Sequence, residues 1–147
     1  MYKHILVPMD GSPLSDQAVD YAATLAKAVG ARVTLIMVTS PFPALLYSPG
    51  FVALPDSYVE ELDAAAAAAL AREKQVVAAK GVPCEAIQVE HEQVYQAIID
   101  AARNKGCDLI VMASHGRRGL SAVMLGSETL KVLTHSAVPV LVFRGKS

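Results

Sequence analysis

Short apolar segments alternate with helix-forming segments along the whole chain, and this alternation limits the folds that the chain can adopt. The apolar segments predict strands over Lys3–Met9, Arg32–Val38, Cys84–Glu90, Asp108–Ala113 and Val138–Arg144. The segments between them predict helices from Pro13 to about Val29, from a cap at Asp56 or Ser57 to Lys80, from Val94 to Lys105, and from Ser127 to Thr134. Strands that alternate with helices imply right-handed crossovers, and therefore an α/β fold with helices on both faces of a parallel sheet.

Length and charge narrow the class of protein further. The chain has 147 residues, which predicts a single domain over residues 1–147. A net charge of −1 and the absence of Trp predict no nucleic-acid partner, because such proteins need basic faces and aromatic stacking platforms. Neither a membrane-spanning apolar run nor a signal peptide is evident from the sequence, so we expect a cytoplasmic protein without a membrane partner.

The segment Leu109–Ser127 carries the clearest functional signal. It begins as the continuous apolar run Leu109–Ala113, which is typical of a strand buried on both faces. A loop with two arginines follows, and the segment ends at Gly126-Ser127, directly before a predicted helix. A glycine loop that ends at a helix start directs free backbone N–H groups toward one point, and this arrangement suits phosphate.

This segment resembles the phosphate-binding motif of the universal stress protein family: glycine, two residues, glycine, nine residues, then glycine with serine or threonine. Ala113, Gly116, Gly126 and Ser127 occupy these positions here, with alanine replacing the first glycine. The start KHILVPMDGSPLS and the end SAVPVLVFR are also similar to the family, so the resemblance covers essentially the whole chain. It implies the ATP-binding branch of the family and a doubly wound, Rossmann-like sheet of five parallel strands in the order 3-2-1-4-5. Periodicity alone does not give that order.

The implied strand order predicts a ligand cleft beyond the carboxyl ends of strands one and four, where the order reverses. Asp10 follows strand one and is interpreted either as a loop or cap acid or, as the family implies, as an acceptor for ribose hydroxyls. Val38 matches the position from which the family contacts adenine through backbone groups. The candidate nucleotide-binding residues are Pro8, Met9, Asp10, Gly11, Val38, Met112, Ala113, His115, Gly116, Arg117, Gly126, Ser127 and Glu128.

Each polar candidate also has a plainer interpretation. Gly116 and Gly126 could be simple turn glycines, and Ser127 could be a helix N-cap. Arg117 and Arg118 would add charge-assisted contacts to phosphate, although at least one is expected to face solvent. His115 is interpreted as a loop histidine packed beside phosphate in preference to a catalytic base or metal ligand.

Neither the histidines nor the cysteines indicate a resident metal site or a disulfide. His4, His91 and His135 share no spacing with cysteines or acids. A divalent ion, Mg²⁺ or Mn²⁺, would therefore arrive with ATP, ADP or AMP and be held mostly by phosphates and water. Cys84 and Cys107 are predicted to be buried small hydrophobic residues.

The resemblance implies an adenine-nucleotide-binding protein with a regulatory role in stress survival and, at most, slow ATP hydrolysis. The alternative is a nucleotide-free dimeric interaction module of the same fold, because one branch of the family lacks the glycine motif. Gly116, Gly126 and Ser127 favour the nucleotide binder, and Ala113 favours the alternative. The sequence identifies no further protein partner.

Two further segments predict surfaces for partners. Strand 138–143 is apolar on both faces and is expected at a sheet edge, where an uncovered strand is an aggregation hazard. The family commonly covers this edge by pairing the strand with its copy in a homodimer. The proline-rich loop 39–55 is unusually long and suggests a lid or a partner surface.

Overall fold

The computed structural model describes residues 1–41, 56–116 and 124–145, which form one layered α/β unit. Its strands are β1 (His4–Pro8), β2 (Arg32–Thr39), β3 (Cys84–Glu90), β4 (Leu109–Ala113) and β5 (Val140–Phe143). Its helices are α1 (Pro13–Val29), α2 (Asp56–Ala79), α3 (Val94–Lys105) and α4 (Ser127–His135). Most of the proline-rich loop, residues 42–55, lies outside the described residues, so its predicted role as a lid or partner surface stays a prediction.

The sheet has the order β3-β2-β1-β4-β5, and every neighbouring pair is parallel. This confirms the α/β fold with the strand order that the family resemblance implied. β5 begins at Val140, two residues later than predicted. Pro139 has no N–H to give to the ladder, and it contributes only its carbonyl oxygen, which accepts from Ile110 N at 2.9 Å.

Local sequence signals fix the ends of α1. Ser12 is the N-cap, and its hydroxyl accepts a hydrogen bond from the backbone N–H of Ser15 at 3.2 Å, with Pro13 at the first helical position. Gly30 closes the helix in the left-handed conformation, at φ 75°. Both caps confirm the prediction.

Alternating side chains build a separate core on each face of the sheet. On β1, Ile5 and Val7 pack toward α1 and α2, whereas Leu6 packs toward α3 and α4. Because successive strand residues point to opposite faces, the same alternation continues across β2, where Val33 and Leu35 face α1 and α2. Every residue of β4 is buried, as expected for a central parallel strand.

The prediction that both thiols are buried is confirmed for Cys107 and only in part for Cys84. Cys107 is buried and Cys84 is half-buried, and burial raises the pKa of each thiol to about 11. Both side chains therefore stay protonated at neutral pH, as packing groups do. None of the described helices combines the length and the apolar character needed to cross a membrane.

Candidate functional site

A cavity of about 640 Å³ opens beyond the carboxyl ends of β1 and β4, at the point where the strand order reverses. Pockets for small ligands typically measure about 300–1,000 Å³ and occur at this position in open α/β sheets. Pro8 and Met9 at the end of β1 and Ala113 at the end of β4 form part of its lining. The cavity therefore coincides with the cleft that the strand order predicts.

One wall of the cavity is apolar. It comes from β2, α3 and β4, and its side chains are Ile36, Val38, Val94, Ile98 and Met112. These residues belong to, or pack against, the core between the sheet and the helices α3 and α4. The wall is thus the end of that core that borders the cavity, and a flat apolar group could bury surface against it.

The polar part of the lining lies where α1 and α4 begin and directly after β4. It comprises Asp10, Ser15, His115, Gly116, Gly126, Ser127 and Glu128. The N-terminus of α4 carries backbone N–H groups without partners inside the helix and the positive end of the helix dipole. A negatively charged group is therefore stabilised at this end of the cavity.

Gly126 packs directly against the loop that leaves β4. Its N–H donates to the carbonyl oxygen of Ser114 at 2.7 Å, and a Cβ added at Gly126 would lie 3.1 Å from His115 Cα. Its φ of −62° is one that any residue adopts, so close approach is what requires glycine here. Gly126 itself is the N-cap of α4, and the prediction of an N-cap at Ser127 is wrong because that residue already occupies the first helical position.

Gly116 leaves room for the carboxylate of Asp10. Asp10 Oδ1 accepts from Ser12 N at 2.9 Å, and the Asp10 N–H donates to Ser15 Oγ at 3.3 Å. A Cβ added at Gly116 would collide with Asp10 Oδ2. The hydrogen bond from Ser12 therefore holds the Asp10 carboxylate at the cavity wall, in the space that Gly116 leaves open.

Glu128 combines a place at the cavity with a structural contact. Its Oε2 accepts a 3.0 Å hydrogen bond from the backbone N–H of Tyr95, in the first turn of α3. Its Oε1 lies 3.5 Å from Lys131 Nζ. The carboxylate therefore joins the starts of two helices.

His115 lies at the cavity with its ring turned toward a neighbouring hydroxyl. Its Nδ1 is 3.2 Å from Ser114 Oγ. Over residues 1–41, 56–116 and 124–145, no cluster of three His, Cys, Asp or Glu side chains is arranged to hold a metal ion. The interpretation of His115 as a loop histidine stays a prediction.

The structure brings most of the predicted residues to this one cavity. Gly11 does not line it and serves the β1–α1 turn instead, at φ 81°. Arg117 and Arg118 lie outside the described residues. Four lining residues were not predicted from the sequence: Ser15, Ile36, Val94 and Ile98. Because strand residues two positions apart share a face, Val38 predicts Ile36 on the same side. The four-residue spacing of Val94 and Ile98 likewise predicts that they share one face of α3.

Sequence comparison identifies the family. A family model described as "Universal stress protein family" matches residues 1–144. The chain belongs to the universal stress protein family. The universal stress protein YxiE of Bacillus subtilis is 34% identical over 149 residues, which cover 98% of this chain and 100% of that protein.

Solved structures agree with the observed fold. The structure of MJ0577, a universal stress protein of Methanocaldococcus jannaschii, superposes with a TM-score of 0.83 at 27% identity and covers 100% of this chain and 99% of that one. A universal stress protein from Archaeoglobus fulgidus, solved in complex with dAMP, has a TM-score of 0.66 and 22% identity, with 96% and 97% covered. At that identity the likeness shows the fold alone.

Proposed function

We propose that this chain binds an adenine nucleotide, ATP first and ADP or AMP as alternatives, and that binding serves a regulatory role in the stress response. The observation that carries the proposal is the single cavity that joins an apolar wall to the N-terminus of α4. A nucleotide has the same division, with an apolar base at one end and phosphates at the other. The Archaeoglobus fulgidus protein, solved in complex with dAMP, is an example of this fold holding an adenine nucleotide.

The phosphates would lie at the start of α4. Gly116 and Gly126 place no side chain between the cavity and the backbone, and Ser127 begins the helix. The helix dipole contributes about 0.3–1 kcal/mol for an anion at this position, to which hydrogen bonds from the N–H groups are added. Arg117 is proposed as a further phosphate ligand, and its position lies outside the described residues.

The base and the ribose would lie toward β1 and β2. Val38 and Met112 would pack against the faces of the adenine ring, and Asp10 would accept hydrogen bonds from the ribose hydroxyls. Because the apolar wall carries no hydrogen-bonding side chain, the edges of the base would be recognised through backbone groups at the end of β2. This agrees with the role that the resemblance assigns to Val38.

A divalent ion would enter with the nucleotide. The described residues provide no cage of three ligands, and Asp10 and Glu128 already accept hydrogen bonds from backbone N–H groups. This donor set fits Mg²⁺ or Mn²⁺ held mainly by phosphates and water. The ion would neutralise phosphate charge.

We propose binding in preference to efficient catalysis. Both carboxylates at the cavity are already held by hydrogen bonds to the chain, and this does not favour a role for either as a general base for an attacking water. Hydrolysis would then be slow and secondary to the change in structure or partner affinity on binding.

We further propose a cytoplasmic homodimer that pairs through residues 138–143. The supporting observation is that β5 is an edge of the sheet, with an apolar sequence from Val140 to Phe143.

The alternative function, a nucleotide-free dimeric module, is favoured by one observation. The Ala113 side chain stands at the cavity wall where the family motif has glycine.

Mass spectrometry of the small molecules released from purified, denatured protein separates the two functions. Adenine nucleotide at close to one equivalent per chain would support the binder. If no nucleotide is released and none binds at millimolar concentration, the interaction module is the better account. A Gly126→Val variant purified in parallel controls for nucleotide that adheres non-specifically, because it should release much less.

A further inference from the structure

Helix α3 begins without a side-chain cap from its own sequence. Gln93 occupies the N-cap position, but its side chain makes no capping hydrogen bond. The acceptor comes from another helix, because Glu128 Oε2 accepts from Tyr95 N at 3.0 Å. A carboxylate at this position also lies at the positive end of the α3 dipole. It therefore stabilises the first turn both through the hydrogen bond and through its charge.

The first turns of α3 form part of the apolar wall. Val94 precedes Tyr95 directly, Ile98 follows three residues later, and both line the cavity. Ile98 is almost fully buried, so the helix is anchored from its second turn onward. Val94 is half-buried and lies in the first turn, where a helix frays most easily. The capping contact from Glu128 is therefore well placed to fix the position of Val94.

We propose that Glu128 is a positioning residue that acts through α3, and that it sets the affinity of the cavity for the base of the nucleotide. The inference rests on the proposed function and changes the role of Glu128 within it. The residue follows Gly126-Ser127 at the proposed phosphate end, yet its hydrogen-bond partner, Tyr95, lies in the first turn of the helix that contributes Val94 and Ile98 to the apolar wall. One carboxylate thus ties the helix that begins at the phosphates to the helix that contacts the base.

The rival role for Glu128 is direct contact with the phosphates or their metal ion. The two roles predict different responses to loss of the carboxylate. If the carboxylate faced the phosphates, its removal would raise the affinity for magnesium tripolyphosphate, because like charges repel, and if it held their metal ion, its removal would lower that affinity. If it acts through α3, its removal would lower the affinity for adenosine and ATP equally and leave tripolyphosphate unchanged.

Calorimetric titration of the full chain with adenosine, MgATP and magnesium tripolyphosphate tests this difference. For Glu128→Ala we expect adenosine and MgATP to weaken by the same factor, on the order of 3- to 10-fold as for loss of a helix cap, with tripolyphosphate unchanged. Glu128→Gln keeps an oxygen acceptor for Tyr95 N and should restore most of the affinity. Hydrogen exchange of the Tyr95 amide should be faster in Glu128→Ala and near wild type in Glu128→Gln.

Lys131→Ala is the matched control. It removes the ion pair to Oε1 and the contact of Lys131 Nζ with the Tyr95 ring, 5.6 Å from the ring centroid, but it leaves the cap on the Tyr95 amide in place. Unchanged adenosine affinity in Glu128→Ala, a changed tripolyphosphate affinity, or an equal loss in Lys131→Ala would each overturn the inference. Failure of the wild-type protein to bind adenosine or MgATP would instead contradict the proposed function. If Glu128→Ala is too unstable to titrate, the comparison of Glu128→Gln with wild type decides, because a direct charge role would change the affinity of that variant for magnesium tripolyphosphate.

Discussion

The backbone N–H of Gly126 donates a 2.7 Å hydrogen bond to the carbonyl oxygen of Ser114. This contact brings the start of α4 against the end of β4, although residues 117–123 between them lie outside the described range. The strand end and the helix start therefore form one wall of the cavity. Substitutions at Gly126 should therefore weaken ligand binding more than they destabilise the fold.

Gly126→Ala should weaken MgATP binding, and Gly126→Val should weaken it further. We expect a loss of at least about tenfold for the valine variant, equivalent to about 1.4 kcal/mol. Even the first Cβ would lie 3.1 Å from His115 Cα, so the loop would have to move where phosphate must approach. Titration calorimetry measures the loss. Leu130→Ala, at a solvent-exposed position of α4, is the control and should bind normally. Full affinity in a folded Gly126→Val protein would contradict the assignment of the phosphate end.

Val38→Phe should reduce MgATP affinity about tenfold or more by filling the apolar end of the cavity. Val89→Phe is a matched control, because Val89 pairs with Val38 in register, packs against the same core and does not line the cavity. Fluorescence titration with an adenine nucleotide analogue compares the two variants. Equal losses in both would assign the effect to disturbance of the sheet.

Much of this fold could be predicted because its signals are local. Ser12-Pro13 and Gly30 mark the ends of α1 through their own backbone preferences, and the structure confirms both. The start of α4 at Ser127 is confirmed as well, but the alternative interpretation of Ser127 as its N-cap is wrong. Gly126 occupies the cap position without a side-chain hydrogen bond, and a preference for serine at helix caps does not register this. The contact between Glu128 and Tyr95 joins residues 33 positions apart, so no local pattern predicts it.

Val142→Pro should convert the proposed dimer to monomer. Pro139 and Phe143 bond to β4 through their carbonyl oxygens, so the alternation of a parallel ladder directs the N–H of Val142 toward the open edge. Proline there removes an outward donor and is tolerated at an edge strand. Val142→Thr keeps the donor and should remain dimeric. Sedimentation at micromolar concentration measures both, and a dimeric Val142→Pro protein would contradict pairing through this edge.

Glu73 should make the protein less stable as pH rises above the ordinary carboxyl range. Burial and the neighbouring Asp16 charge raise the pKa of Glu73 on the inner face of α2. A raised folded-state pKa gives stability that is fully present below the unfolded pKa and is lost as pH rises through the folded one. Within the described residues, the buried Asp16 Oδ1 accepts no hydrogen bond. The side-chain amide of a glutamine at position 73 could donate one.

Urea unfolding at pH 5 and pH 8 tests this expectation. Glu73→Gln should gain stability relative to wild type at pH 8, on the order of 1 kcal/mol, and gain less at pH 5. Glu61→Gln, at an exposed position of the same helix, is the control and should shift by much less. A Glu73→Gln protein that is less stable than wild type at pH 8 would show that the carboxylate is satisfied when charged.

Thermal unfolding with and without MgATP tests the central claim most directly. The protein is first shown to be nucleotide-free by mass spectrometry of its denatured extract. Ligand at about 100 times its dissociation constant stabilises the folded state by roughly 2.7 kcal/mol, so we expect Tm to rise on the order of 5–10 °C. An unchanged Tm at millimolar MgATP, with the cavity known to be empty beforehand, would contradict the proposal that this chain binds adenine nucleotides.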